Sequence, residues 1–146
     1  GAHLARGLAR ALAERRLHET DWSPPDLVVP VPLPWPRRLA RGFNQTELVA
    51  GPLARELGRP WRRALSRSFF APRQTGQHRG GRSRASHFRV GHPGTVAGRS
   101  ILLVDDVLTT GATVREASVA LRRAGAGRIE VAVVGWTPLE APFQRN

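Results

Sequence analysis

The sequence predicts an α/β fold in which a mainly parallel sheet is flanked by helices. Residues 101–104 are a continuous apolar run, and residues 129–134 form a second run that Glu130 interrupts. Continuous apolar runs are typical of parallel strands that are covered on both faces. Residues 114–121 repeat apolar side chains at helical spacing. The three segments together therefore predict one strand–helix–strand unit.

The elements before this unit follow from simple periodicity and from proline. Residues 4–17 carry leucine and alanine three and four positions apart among arginines, which predicts a helix with one apolar face. Residues 27–31 predict a short strand that leads into a stiff, Pro-rich loop. Asn44 can cap the next helix, which we expect Pro52 to delay or kink and Gly58 to end.

The remaining elements are defined by turn and cap signals. Residues 71–86 are rich in Gly, Ser and Arg and predict a surface loop, and residues 87–90 predict a short strand after it. Thr113 and Glu116 have the spacing of a capping box, which predicts that the last helix begins there. Gly125 is expected to close that helix. At 146 residues, the chain is predicted to be a single domain, residues 1–146.

The charge of the chain predicts an anionic partner. The sequence has 23 Lys+Arg, all of them Arg, against 11 Asp+Glu, which gives a formal net charge of +12. Between Glu56 and Asp105 it holds many arginines and no acid. A field of this sign concentrates phosphates, nucleotides or nucleic acid near the protein. The alternative is a solvated surface in a protein whose composition favours arginine.

Several classes of protein are excluded or disfavoured. There is no Cys, so disulfides and thiolate metal sites are impossible in this chain, and the five histidines have no metal-ligand spacing. No apolar run approaches the ~20 residues that span a bilayer, so we expect a cytoplasmic protein without a membrane span. A P-loop is excluded because the chain has no Lys. A receiver domain is disfavoured because no Asp follows Asp106 to accept phosphate.

A candidate site lies where the first strand of the predicted unit ends. Asp105 and Asp106 follow the apolar run, and residues 109–113 lead into a helix N-terminus. Ligands gather at this edge of a parallel sheet, and a helix N-terminus favours phosphate. The two acids suit a polyol or the surroundings of a divalent cation. The stretch therefore predicts a site for a phosphorylated sugar. In the alternative interpretation, these residues merely terminate the strand and the helix.

Residues 101–113 resemble the phosphoribosyl pyrophosphate (PRPP) motif of type I phosphoribosyltransferases, with four apolar residues, two acids, two apolar residues and then Thr-Thr-Gly-x-Thr. The resemblance implies a type I phosphoribosyltransferase-like fold. It also implies that the catalytic residues Asp105 and Asp106 contact the ribose hydroxyls. Five residues would surround the 5′-phosphate: Thr109, Thr110, Gly111, Ala112 and Thr113. Mg²⁺ would arrive through PRPP, with no direct protein ligand.

VVPVPL and the later RRLARGFNQTELVA are similar to the early segment of the ComF branch, whose members are associated with natural competence for DNA uptake. This resemblance implies that the pyrophosphate loop comprises Val31, Pro32, Leu33 and the residues toward Arg37. The family often holds a non-proline cis peptide in this loop, and here the Val31–Pro32 bond could be cis at much lower cost. The resemblance also implies that Trp136 stacks on a nucleobase, although an aromatic plug over the core is an alternative.

The family's N-terminal zinc segment is absent from this chain, either because the chain is a fragment or because its lineage lost that segment. The resemblance implies a phosphoribosyltransferase that uses PRPP and a nitrogenous base as acceptor. The alternative is a non-enzymatic competence factor that binds single-stranded DNA, with the PRPP site as sensor or vestige. Its candidate DNA-binding residues are Arg73, Arg79, Arg82 and Arg84.

Overall fold

A computed structural model describes residues 2–18, 22–33, 44–67 and 87–136. Its helices are α1 (Ala2–Leu17), α2 (Gln45–Glu56) and α3 (Ala112–Arg123), with a short 3₁₀ helix at Pro93–Thr95. Its strands are β1 (Leu27–Pro30), β2 (Leu65–Arg67), β3 (Phe88–Val90), β4 (Ile101–Leu108) and β5 (Ile129–Trp136). No helix in these ranges is both long enough and apolar enough to cross a membrane.

The central sheet is parallel and has the strand order β1-β4-β5. β4 is therefore hydrogen-bonded on both sides, with Val104 opposite Pro30 of β1 and Ala132 of β5. Residues 60–62 extend the sheet beyond β1, since Trp61 forms a parallel bridge with Val28. The predicted strand–helix–strand unit is confirmed as β4-α3-β5.

Helices cover both faces of the sheet because successive strand residues point to opposite sides. Leu103 belongs to the core that contains α3, together with Leu65 and Phe88 of the antiparallel β2–β3 pair. Leu102 belongs to the core that contains α1 and α2. This double burial is the physical reason for the continuous apolar runs.

Three boundaries differ from the sequence prediction. α2 begins at Gln45, directly after its cap Asn44, so Pro52 does not delay it. α3 begins at Ala112 after Gly111, so Thr113 lies inside the helix and does not cap it. β4 continues to Leu108 because β5 pairs with it to the end, which places Asp105 and Asp106 within the strand.

The caps formed by glycine are as expected. Gly58 follows α2 with φ of +63°, and Gly125 follows α3 with φ of +89°. Left-handed φ values of this kind favour glycine, which has no Cβ. The described residues contain no cis peptide bond, so the Val31–Pro32 bond is trans.

Candidate sugar-phosphate site

Asp105 and Asp106 lie in the carboxyl half of the central strand β4. Asp105 is 5% exposed, and Asp106 is partly exposed. The N–H of Asp106 donates to Oδ1 of Asp105 at 2.9 Å, and the N–H of Val107 donates to Oδ1 of Asp106 at 2.9 Å. Each carboxylate is thus held by the backbone of the next residue, which fixes both at the edge where parallel sheets bind ligands.

The environment of Asp105 opposes its ionisation. Burial raises the pKa of the Asp105 carboxyl to about 6, and the charge of Asp106 acts in the same direction. The N–H of Asp106 and the guanidinium of Arg67 in β2 oppose this rise of the pKa. Placing a carboxylate here costs stability, and such costs are concentrated at functional sites.

The turn after β4 leads into the N-terminus of α3. Gly111 has φ of +74° and immediately precedes α3, whose first N–H groups have no acceptor within the helix. The hydroxyl of Thr110 accepts the N–H of Ala112 at 3.2 Å. Thr109, Thr110 and Ala112 are exposed, and Gly111 and Thr113 are half-buried. A helix N-terminus of this kind is a general place for anions such as phosphate.

The end of β1 lies beside Val104 of β4 and is held by hydrogen bonds. The N–H of Val31 donates to the carbonyl oxygen of Val104 at 2.9 Å. The carbonyl oxygen of Val31 accepts the hydroxyl of Thr46 at 2.7 Å and the side-chain amide of Asn44 at 3.4 Å. Asn44 and Thr46 are both buried. The start of α2 therefore anchors the first residue of the loop after β1, where Pro32 and Leu33 are half-buried.

The phosphoribosyl transferase domain family matches residues 2–138. The chain belongs to this family. The DNA utilization protein YhgH of Escherichia coli (strain K12) is 37% identical to this phosphoribosyl transferase domain over 141 residues, which cover 89% of the chain and 59% of the relative. Competence protein F of Haemophilus influenzae is 33% identical over 136 residues, with 88% and 57% covered. The chain thus spans about three fifths of the length of these relatives. The ComF-like resemblance is confirmed.

Solved structures share the fold. Glutamine PRPP amidotransferase from B. subtilis, complexed with ADP and GMP, matches with a TM-score of 0.60 and 24% identity, over 89% of this chain and 26% of that one. Adenine phosphoribosyl transferase from Trypanosoma brucei, in complex with AMP, pyrophosphate and ribose-5-phosphate, matches with a TM-score of 0.56 and 18% identity, over 91% and 53%. The predicted type I phosphoribosyltransferase-like fold is confirmed.

Some predicted site residues are not located by the structure. Arg37 of the pyrophosphate loop lies outside the described residues. So do the four candidate DNA-binding residues Arg73, Arg79, Arg82 and Arg84. Trp136 is the last residue of β5 and is opposite Leu108 in the strand register. Its stacking on a base stays a prediction.

Three residues near the candidate site of the phosphoribosyl transferase domain were not predicted from the sequence. The hydroxyl of Thr46 donates to the carbonyl oxygen of Val31. Its place two residues after the helix cap Asn44 is the feature of the sequence that could have indicated this role. Arg67 influences Asp105 from a three-residue strand that was not predicted. Arg115 lies beside the phosphate-suited turn, since its Nη2 would be 3.8 Å from a Cβ added at Gly111. Its position one turn into α3 was the available signal.

Asp105→Asn is expected to stabilise the protein at pH 8 but not at pH 4. The folded pKa, about 6, exceeds the ordinary 3.8, so the favourable contribution of Asp105 is complete below pH 3.8 and is lost as pH rises through 6. Asn keeps the Oδ1 acceptor and carries no charge to bury. We expect a gain at pH 8 of about 2 kcal/mol in the free energy of unfolding, measured by urea denaturation across this pH range.

Asp26→Asn provides a control of opposite sign. Hydrogen bonds from the N–H and hydroxyl of Ser100, both at 2.8 Å, lower the pKa of Asp26. The contribution of Asp26 is therefore present at neutral pH and lost as pH falls. Asp26→Asn should lower stability at pH 8. Equal destabilisation of both variants at pH 8 would contradict the assignment of Asp105 as a strained carboxylate.

Proposed function

We propose that this phosphoribosyl transferase domain binds PRPP, with the ribose hydroxyls on Asp105 and Asp106 and the 5′-phosphate in the turn at residues 109–113. One observation carries the proposal. A costly buried carboxylate and a left-handed glycine that opens a helix N-terminus lie on the same strand–turn–helix segment. Carboxylates accept hydrogen bonds from a diol, whereas N–H groups donate to phosphate. The two halves of the site thus complement the two ends of ribose 5-phosphate.

The positions of the two halves suit one bound sugar. Asp106 and Gly111 are separated by four residues, and the residues on either side of Asp106 in β4 pair with β5. Thr110 and Arg115 add a hydroxyl and a cation near the turn. Val31 and Pro32 follow the neighbouring strand at the same edge, where the pyrophosphate of PRPP would lie. Arg37 is the proposed cation of that loop.

The residues fit Mg²⁺ that arrives with its substrate. The described residues hold no group of three or more His, Cys, Asp or Glu that could ligate a metal ion by itself. Mg²⁺ prefers octahedral oxygen coordination and usually keeps several waters, with substrate phosphates as further ligands. Asp105 and Asp106 would hold it through water or through the ribose hydroxyls. When bound, Mg²⁺ would neutralise the charge of the pyrophosphate.

We further propose transfer of the phosphoribosyl group to a nitrogenous base. The bond from C1 to the pyrophosphate oxygen breaks, a bond from C1 to the base nitrogen forms, and the proton of that nitrogen passes to solvent. The transition state has oxocarbenium character. The protein needs no covalent nucleophile, because its acids, N–H groups and cations position the sugar and stabilise developing charge. Trp136 at the end of β5 is the proposed platform for the base.

The names of the relatives connect this proposal to DNA utilization and competence. We propose that the domain acts in the handling of incoming DNA or its nucleotides in the cytoplasm. The alternative, a non-enzymatic factor that binds single strands through Arg73, Arg79, Arg82 and Arg84, concerns residues outside the described ranges and stays a hypothesis.

Calorimetric titration of the domain with PRPP tests the proposed function. We expect binding that Mg²⁺ strengthens by about tenfold, or about 1.4 kcal/mol, because the metal offsets the pyrophosphate charge. Ribose 5-phosphate is the matched control, since it lacks pyrophosphate and should bind with little dependence on Mg²⁺. Failure of both ligands to bind would refute the assignment. Binding of PRPP alone would leave the pyrophosphate loop as the site and would refute the roles of Asp105, Asp106 and the turn.

A further inference from the structure

A polar cavity opens at the amino end of the sheet, away from the sugar-phosphate site. Its volume is about 330 Å³, and it is lined by Leu27, Pro60, Arg62, Gly94, Thr95 and Arg99. Leu27 pairs with Ile101 at the beginning of β4, whereas Asp105 lies four residues further along that strand. At roughly 3.3 Å per residue, the two ends are about 13 Å apart. This amino-end cavity is therefore separate from the site of Asp105.

Backbone hydrogen bonds fix both walls of the amino-end cavity. On one side, the N–H of Val28 donates to the carbonyl oxygen of Pro60 and the N–H of Arg62 donates to that of Val28, both at 3.0 Å. On the other side, the N–H of Arg99 donates to the carbonyl oxygen of Val96 at 3.1 Å, and Val96 is fully buried. The backbone positions that carry the two lining arginines are therefore set by the fold.

The charge around the cavity is predominantly positive. Arg62 and Arg99 line it, and Arg59 and Arg99 are near enough to Asp26 to help lower its pKa. Asp26 is the opposing acid, and both hydrogen bonds from Ser100 go to its Oδ2. Arg59 and Arg99 thus act on one carboxylate, which already accepts two hydrogen bonds.

The lining arginines differ from another arginine at the same end of the sheet. Arg128 forms an ion pair with Glu130 at 3.3 Å and donates to the carbonyl oxygen of Ser23. Within the described ranges, no salt bridge involves Arg59, Arg62 or Arg99. Arg62 donates one N–H to the carbonyl oxygen of its neighbour Trp61 at 2.9 Å, which leaves its other donors for a ligand.

We propose that the amino-end cavity is a second anion site that binds a phosphate group through Arg62, Arg99 and the hydroxyl of Thr95. Guanidinium groups match phosphate oxygens in pairs, and two of them on fixed backbone make a preorganised clamp. The phosphate can belong to a free nucleotide or pyrophosphate, or to the backbone of a single-stranded oligonucleotide. Both sources present the same chemistry to the cavity. The site is independent of the sugar-phosphate site and does not rest on the proposed function.

Chemical-shift mapping of the ¹⁵N-labelled chain with pyrophosphate, without Mg²⁺, tests the location. We expect saturable shifts at the amides of Arg62, Thr95 and Arg99, and their loss in the Arg62→Gln/Arg99→Gln variant. Binding at the sugar-phosphate site would instead shift the amides of Val31 and Leu33 or those of residues 109–113. Shifts confined to these two segments would overturn the proposal and leave the proposed function intact.

Titration with thymidine monophosphate and with thymidine oligonucleotides of increasing length identifies the source of the phosphate. We expect Arg62→Gln/Arg99→Gln to lower the affinity for the probe that the parent chain binds more tightly by about tenfold. The Arg55→Gln/Arg89→Gln variant removes the same charge from exposed positions outside the cavity lining and should change affinity far less. For a single strand, affinity grows with length, and the steepness of the log–log salt dependence falls by about 0.7 in the first variant, for the one phosphate contact that is lost. Equal effects of the two variants would overturn the proposal.

Discussion

Asp106→Asn is expected to weaken ribose 5-phosphate binding by about tenfold to a hundredfold, and the variant that also carries Asp105→Asn is expected to weaken it further. Each substitution preserves the shape of the side chain but removes the charge that strengthens a hydrogen bond from a ribose hydroxyl. A lost charge-assisted contact costs about 1 to 3 kcal/mol. Because Asp106 is partly exposed in the carboxyl half of β4, we expect it to reach the sugar without rearrangement of the strand. Calorimetry with ribose 5-phosphate measures the effect.

The control for this prediction is 2-deoxyribose 5-phosphate, which lacks the 2′ hydroxyl. If the acids bind the two ribose hydroxyls, the loss of affinity caused by Asp106→Asn and the loss caused by removal of the 2′ hydroxyl should not add. Both changes delete part of the same interaction. Unfolding cannot explain the loss at Asp105, because Asp105→Asn is expected to stabilise the chain at neutral pH. Unchanged affinity of the double variant for ribose 5-phosphate would remove both acids from the site.

The position of the acid pair was predictable because the relevant signals are local in the chain. An apolar run, two acids and a Gly-containing turn are contiguous, and parallel strands place such a sequence at the ligand-binding edge. The burial and the raised pKa of Asp105 could not be predicted from the sequence. Asp105 is on the same face of β4 as Leu103, which belongs to the core that contains the β2–β3 pair, and β2 is distant in the sequence. A carboxylate in sequence looks the same whether it is buried or solvated.

The errors at element ends have a common cause in tertiary contacts. β4 continues beyond the apolar run because β5 supplies a parallel partner as far as Trp136, whatever the polarity of Asp105 and Asp106. The spacing of Thr113 and Glu116 suggested a cap, but the left-handed conformation of Gly111 starts α3 at Ala112. Cap motifs are short, so the geometry of the preceding turn decides between neighbouring candidates.

The amino-end cavity illustrates what sequence spacing cannot reveal. Arg62 and Arg99 are 37 positions apart in the chain. They line one cavity because residues 60–62 add to the edge of β1 while Arg99 precedes β4, the next strand of the sheet. The excess of arginine over acid in this part of the sequence predicted an anionic partner, but the fold alone selects the arginines that converge.

Gly111→Val is expected to abolish detectable ribose 5-phosphate binding while the chain remains folded. At φ of +74°, a β-branched side chain is strained, which costs about 1 to 3 kcal/mol of stability. Its Cβ would lie 3.6 Å from Cδ1 of Leu108 and 3.8 Å from Nη2 of Arg115, so the added methyl groups would crowd the turn. Phosphate needs close approach to the backbone N–H groups there, and the valine side chain would obstruct it.

Gly58→Val separates this steric effect from backbone strain. Gly58 has φ of +63° at the end of α2, and a Cβ added there meets nothing within 4 Å. The two variants should therefore lose similar stability in urea denaturation, since both place a β-branched residue in the left-handed region. Affinity for ribose 5-phosphate should fall in the Gly111 variant and remain at the parent value in the Gly58 variant. If both variants bind the sugar phosphate like the parent, the turn at residues 109–113 does not hold the 5′-phosphate, and Gly111 serves only to start α3.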